Sequence, residues 1–168
     1  MSSTPTPMPR NVIEAAILPL RRFARFRGRS SRMEFWSFTA ATIAAQIVIA
    51  VTFPLVSWPL WLFLILPSQA VLVRRLHDVD RSGWWALPMP LLVFSLVLLL
   101  AMTQFTLGNE AGEQILVALG IVTPSLLILG TCLVVWTCRR GVSGPNRFGE
   151  ALLPHDAVGT SAKPPAEP

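Results

Sequence analysis

The stretch Arg74-Arg75-Leu76-His77-Asp78-Val79-Asp80-Arg81-Ser82-Gly83-Trp84-Trp85 is the one strongly polar interruption between two long apolar blocks, and it constrains this chain most. No Asp, Glu, Lys, Arg or His occurs from Phe35 to Val73 or from Trp84 to Leu107. A hydrocarbon slab about 30 Å thick accepts an uncharged run of about 20 residues as one helix. A soluble domain of 168 residues would have to bury several such runs in a single core. The 52% hydrophobic and 14% charged composition points the same way. The sequence predicts an all-α membrane protein with four transmembrane helices and a short N-terminal amphipathic interfacial helix. The polar stretch is expected to be a wet loop at a membrane surface.

In chain order, Met1 to Arg10 carries prolines with Ser and Thr and no apolar periodicity, and is expected to be a disordered lead-in to a single membrane domain over residues 11–150. Asn11 can cap a helix on which Val12, Ile13, Ala16, Ile17 and Leu20 form one apolar stripe. Arg21, Arg22, Arg25, Arg27 and Arg29 follow, with Phe23 and Phe26 among them, a composition suited to the lipid headgroup layer. Nothing at the N-terminus resembles a cleavable signal, because this apolar segment is short, interrupted by Pro19 and followed by arginines. Ser31 and Glu34 have capping-box spacing at the start of the first span. Spans are expected at about 35–53, 55–73, 84–107 and 115–136. The first two are joined too tightly for anything but a hairpin, and Pro67 is expected to kink the second. Residues 151–168 read as a disordered tail. Cys132 and Cys138 have no zinc-ligand spacing and are expected to be buried, inert thiols.

Orientation follows from counting cations. Seven arginines precede the first span, three lie in the central stretch and four Lys or Arg follow the last span, which accounts for all 14. With four spans these segments share one side, and the positive-inside rule makes that side, with both termini, cytoplasmic.

Three motifs, Gly28-Arg29-Ser30-Ser31-Arg32-Met33-Glu34-Phe35-Trp36, Arg74-Arg75-Leu76-His77-Asp78 with Ser82-Gly83-Trp84-Trp85, and Gly144-Pro145-Asn146-Arg147-Phe148-Gly149, occur in this order with apolar spans between them. Together they resemble the YhaH-like bacterial inner-membrane family catalogued as domain of unknown function 805, over roughly Phe23 to Gly149. The resemblance implies a multi-pass protein of the bacterial cytoplasmic membrane and no particular activity, cofactor or catalytic residue. Asp80 departs from the small or glycine residue expected of the family at that place.

The topology brings Arg29, Arg32, Glu34, Arg74, Arg75, His77, Asp78, Arg81, Trp84, Asn146 and Arg147 to one surface, so one composite binding site is geometrically possible. Arginine grips phosphate or carboxylate in a fork, and arginines beside tryptophan rings suit a lipid headgroup whose chains stay in the bilayer. The first functional expectation is therefore a non-enzymatic protein binding anionic membrane lipids or a protein partner, which includes a second copy of the chain. The competing bland reading is that these arginines only enforce topology. Nucleic acid is not expected as a partner, since a basic cluster abutting a span faces lipid. His77 and Asp78 are the candidates for an alternative lipid-modifying enzyme, but no nucleophile or metal cluster completes the set. A small-solute transporter is the other alternative, weakened by the absence of ionisable residues inside the spans. No cofactor or metal is implied. Gly83, between a polar loop and two tryptophans, is expected to need a positive φ.

Overall fold

The computed structural model describes residues 8–106 and 110–152. The predicted lead-in before residue 8, the predicted tail after residue 152 and the start of the predicted third loop lie outside the described residues. Five helices are described: α1 (Val12–Arg21), α2 (Arg32–Thr52), α3 (Pro54–Asp78), α4 (Pro88–Thr106) and α5 (Glu110–Cys138), with one 3-10 turn over Gly83–Ala86. Four candidate spans, Arg32–Thr52, Pro54–Asp78, Gly83–Thr103 and Gly112–Cys138, are long and apolar enough to cross a membrane. No strand occurs among the described residues, only an isolated bridge between Asn146 and Gly149.

The chain separates into two compact units, residues 1–83 with 137–168, and residues 84–136. In the first, α1, α2 and α3 pack against one another. The Asn11 side chain accepts from the Glu14 amide at 2.7 Å, as the sequence predicts of a cap. Against its neighbours α1 buries the small residues Ala15 and Pro19, and its larger Val12, Ile13, Ile17 and Leu20 stay exposed. Only Phe53 separates α2 from α3, and Gln46 Nε2 donates to the Ser57 carbonyl at 2.9 Å across that hairpin. A membrane leaves no water to satisfy loop backbone, so a one-residue connection exposes the least of it.

In the second unit, Trp84 and Trp85 sit in the 3-10 turn ahead of α4, and Trp85 meets Trp136 edge to face at 5.3 Å. Pro88 and Pro90 occupy the first turn of α4, where a missing N–H breaks no helical bond. Met89 lies 3.8 Å from where a Cβ on Gly130 would stand.

Four expectations are corrected. The central stretch is not a loop from Arg74: α3 runs to Asp78, because its arginines find partners inside the protein and need no water. Cys132 and Cys138 are free thiols but exposed rather than buried. Ser31 Oγ does accept from the Glu34 amide, yet Glu34 is buried against another helix rather than completing the capping box. Gly83 has no positive φ; in this region the left-handed position is Asp80, at φ 56°.

Candidate functional site

The helical register of α3 sets the arrangement. Arg74, Arg75 and Asp78 fall within its last turn and a half, and all three are buried. Asp78 accepts from two cations: Arg29 Nε and Nη2 stand 2.9 and 2.8 Å from Oδ1, and Arg75 Nη1 pairs with Oδ2. A third guanidinium, Arg74, reaches Glu34 Oε1 at 3.0 Å and the Ala70 carbonyl one turn earlier in α3 at 3.2 Å. Arg29 and Arg75 are 4% and 0% exposed, so these are buried charges whose desolvation only close pairing offsets.

Donors left over from these pairs hold backbone. Arg75 Nε donates to the Thr137 carbonyl at 3.0 Å and Nη2 to that of Arg139, neutralising the open carbonyl end of α5. The Gly144 carbonyl accepts from Arg29 Nη1 at 2.7 Å and the Val142 carbonyl from Nη2. The Val142 amide in turn donates to the Asp78 carbonyl at 2.9 Å. The segment after α5 is thereby clasped to the end of α3.

Asp80 terminates α3. Its amide donates to the His77 carbonyl at 3.1 Å and the Arg81 amide to the Leu76 carbonyl at 2.8 Å, the paired bonds of a Schellman end with Asp80 in the position glycine usually fills. That accounts for the small residue expected there. Arg147 Nε lies 3.2 Å from Asp80 Oδ1 in an exposed pair.

Asn146, Arg147 and Phe148 cover the same helix end. Asn146 Nδ2 donates to the His77 carbonyl at 2.8 Å, and its backbone exchanges bonds with Gly149. The Phe148 ring stacks on the His77 imidazole, centroids 3.9 Å apart and planes 6° apart, and Arg147 lies 4.8 Å from that ring. At the edge of the ring, His77 Nδ1 lies 3.2 Å from the Gly28 carbonyl. A Cβ on Gly83 would fall 2.6 Å from Val73 Cγ1 and 3.1 Å from His77 Nε2, so close approach, not conformation, is what Gly83 provides.

Of the sequence-selected residues, Arg29, Glu34, Arg74, Arg75, His77, Asp78, Asn146 and Arg147 come together at this one end of the first unit. Arg32 is exposed beside them, Arg81 follows the helix end, and Trp84 belongs to the other unit and is 77% exposed. Arg32 and Arg140 instead line a groove of about 840 Å³ together with Met33, Trp36, Cys138 and the Arg29–Asp78–Arg75 knot. Neither Arg32 nor Arg140 has an ion-pair partner among the described residues. Sequence reading did not single out Gly141 or Arg140. A Cβ on Gly141 would stand 2.5 Å from Asp78 Cγ, a close approach that only the folded chain reveals.

Several proteins of Escherichia coli strain K12 are similar to this chain. The inner membrane protein YhaI is 35% identical over 100 residues, covering 54% of this chain and 85% of YhaI. The inner membrane protein YhaH is 28% identical over 141 residues, covering 77% and 88% of the two chains. The protein YiiR is 30% identical over 141 residues, covering 74% and 84%. No solved structure matches. The family described as protein of unknown function (DUF805) matches residues 23–150, a stretch that contains the whole arginine knot and its clasp, and the chain belongs to that family of inner-membrane relatives.

Proposed function

We propose that this is a non-enzymatic inner-membrane protein, both termini cytoplasmic, that holds anionic lipid headgroups at its arginine-rich end. The observation that carries this reading is a division of labour among the arginines. Arg29, Arg74 and Arg75 are buried and committed to carboxylates and carbonyls, whereas Arg32 and Arg140 stand unpaired at the groove beside Trp36. A guanidinium fork matches a phosphate, and an indole at the start of a span suits the level of headgroups. The exposed apolar residues of α1 fit the same interface: Val12, Ile13, Ile17 and Leu20 turn away from the protein, as an interfacial helix requires.

The lipid-modifying alternative draws no support from the geometry. The Asp78 carboxylate is taken up by two arginines, and His77 is covered by Phe148 on one face.

The test is retention of phosphatidylglycerol over phosphatidylcholine by the purified full chain, read by native mass spectrometry. The double variant Arg32→Gln with Arg140→Gln is expected to lower that ratio about tenfold or more, since each charge-assisted bond contributes about 1.5 kcal/mol. An unchanged ratio, with melting also unchanged, overturns the reading and leaves these arginines as topology signals only.

A further inference from the structure

Four guanidiniums and one carboxylate line a single groove: Arg29, Arg32, Arg75, Arg140 and Asp78. Asp78 neutralises one of the two arginines that hold it, and Arg32 and Arg140 have no ion-pair partner among the described residues. The lining therefore keeps an excess of three positive charges. Arg29, Arg75 and Asp78 are at most 4% exposed, so part of that excess is fixed in place and poorly screened by dissolved salt.

The two unpaired arginines stand on different segments. Arg32 opens α2, and Arg140 lies just past the end of α5. Asp78 abuts both segments: it pairs with Arg29, which precedes Arg32 by less than a turn's worth of chain, and a Cβ on Gly141, next to Arg140, would stand 2.5 Å from its Cγ. The positive lining is thus two stations, one on each segment, with the same carboxylate against both. At the first station the Ser31 hydroxyl caps the Glu34 amide and the Ser31 carbonyl accepts from the Phe35 amide. The Arg32 and Met33 amides are left without an acceptor among the described residues and add to the pull of Arg32 on an anion.

This division selects the ligand. A compact dianion, such as the phosphomonoester of phosphatidic acid with about −1.5 to −2 charge on one phosphorus, serves one station and meets Asp78 if it shifts toward the other. A single phosphodiester likewise serves one station. Two phosphodiesters joined by a glycerol supply a charge for each, and the uncharged link between them passes the carboxylate, to which its hydroxyl can donate. Basic pockets beside membrane spans hold headgroups of this kind. Met33, Trp36, Val142 and Leu152 line the same groove and offer apolar surface to the acyl chains.

We infer that the groove binds one lipid of the cardiolipin type, with one phosphate held at Arg32 and the other at Arg140. The inference rests on the headgroup reading above and narrows it to a lipid with two linked phosphates, so it can fail while that reading stands.

The experiment uses the full chain in phosphatidylcholine nanodiscs carrying cardiolipin and phosphatidylglycerol at equal phosphate, with retained lipid read by native mass spectrometry. Cardiolipin is expected to be retained about tenfold over phosphatidylglycerol, the ratio one additional charge-assisted hydrogen bond supports. Arg32→Gln and Arg140→Gln, made singly, should each bring that ratio close to unity, while phosphatidylglycerol stays above phosphatidylcholine through the remaining arginine. Phosphatidic acid in place of cardiolipin should not reach the tenfold preference. Equal retention of cardiolipin and phosphatidylglycerol by the parent chain overturns the inference and leaves the headgroup reading standing. So does a preference that survives both single variants, or phosphatidic acid retained as strongly as cardiolipin. Retention of no anionic lipid over phosphatidylcholine overturns both.

Discussion

Asp78 sits where two guanidiniums converge, and the space its carboxylate occupies is left open by the missing side chain of Gly141. Because Arg29 and Arg75 hold that carboxylate from two directions, it cannot swing away from an added methyl without breaking an ion pair. Gly141→Ala is therefore expected to cost about 3 kcal/mol, the lower end of what breaking a buried pair costs, read as a drop in thermal melting in detergent. Gly144→Ala, which meets no atom within 4 Å, should melt like the parent. Equal melting of both variants would mean the carboxylate is not fixed as described. Asp80 offers an opposite case. A non-glycine residue at φ 56° pays for a left-handed backbone. That cost is on the order of 1 kcal/mol. Its exposed pair with Arg147 returns only about 0–1 kcal/mol. Asp80→Gly should leave stability unchanged or raise it by up to about 1 kcal/mol, while Asp80→Val, β-branched at the same φ, should lower it by about 2 kcal/mol.

At the scale of elements, the end of α3 is built by close approach. Gly83 passes within 2.6 Å of Val73 Cγ1 when a Cβ is added. Gly83→Ala is expected to destabilise by about 1–3 kcal/mol through overpacking, and Val73→Ala in the same chain should recover part of that loss. Additive losses in the double variant would place the effect elsewhere. The spans and the hairpin were legible in the sequence because a hydrocarbon slab admits few alternatives for uncharged runs of that length. The Asn11 cap was legible because its side chain acts on a residue three positions away. The last turn of α3 was not, because Arg74 to Asp78 has the composition of a wet loop. What makes it helical lies far along the chain: Glu34 for Arg74, Arg29 for Asp78, and the Thr137 and Arg139 carbonyls for Arg75. The grouping of the three motifs at one surface could be anticipated from topology, but the pairing within it could not, since Glu34 also fits a capping box by spacing. The separation of committed from unpaired arginines has no signature in the sequence at all.

For the whole molecule, the remaining question is which way the chain faces. All 14 Lys and Arg lie at or before the start of the first span, from the last turns of the second span to the start of the third, or after the fourth. Arg29, Arg74 and Arg75 are buried in ion pairs, so the orienting bias rests on the others, chiefly Arg21, Arg22, Arg25 and Arg27 ahead of α2, Arg32 at its first residue, and Arg139 and Arg140 after α5. Cations flanking a span within about 15–20 residues resist translocation, and both groups lie that close to a span end. The first turn of α5 carries two carboxylates, Glu110 and Glu113, and no Lys or Arg lies between α4 and that turn to oppose its export. A phosphatase reporter active only outside the cytoplasm should therefore be active when inserted at residue 109 and inactive when fused after Leu152. Replacing Arg139 and Arg140 with Gln should leave this pattern intact, because the five arginines up to the start of α2 retain the bias. Replacing those five as well should populate the inverted arrangement, visible as activity from the fusion after Leu152. Activity there in the parent chain would reverse the orientation and place the arginine groove on the outer face.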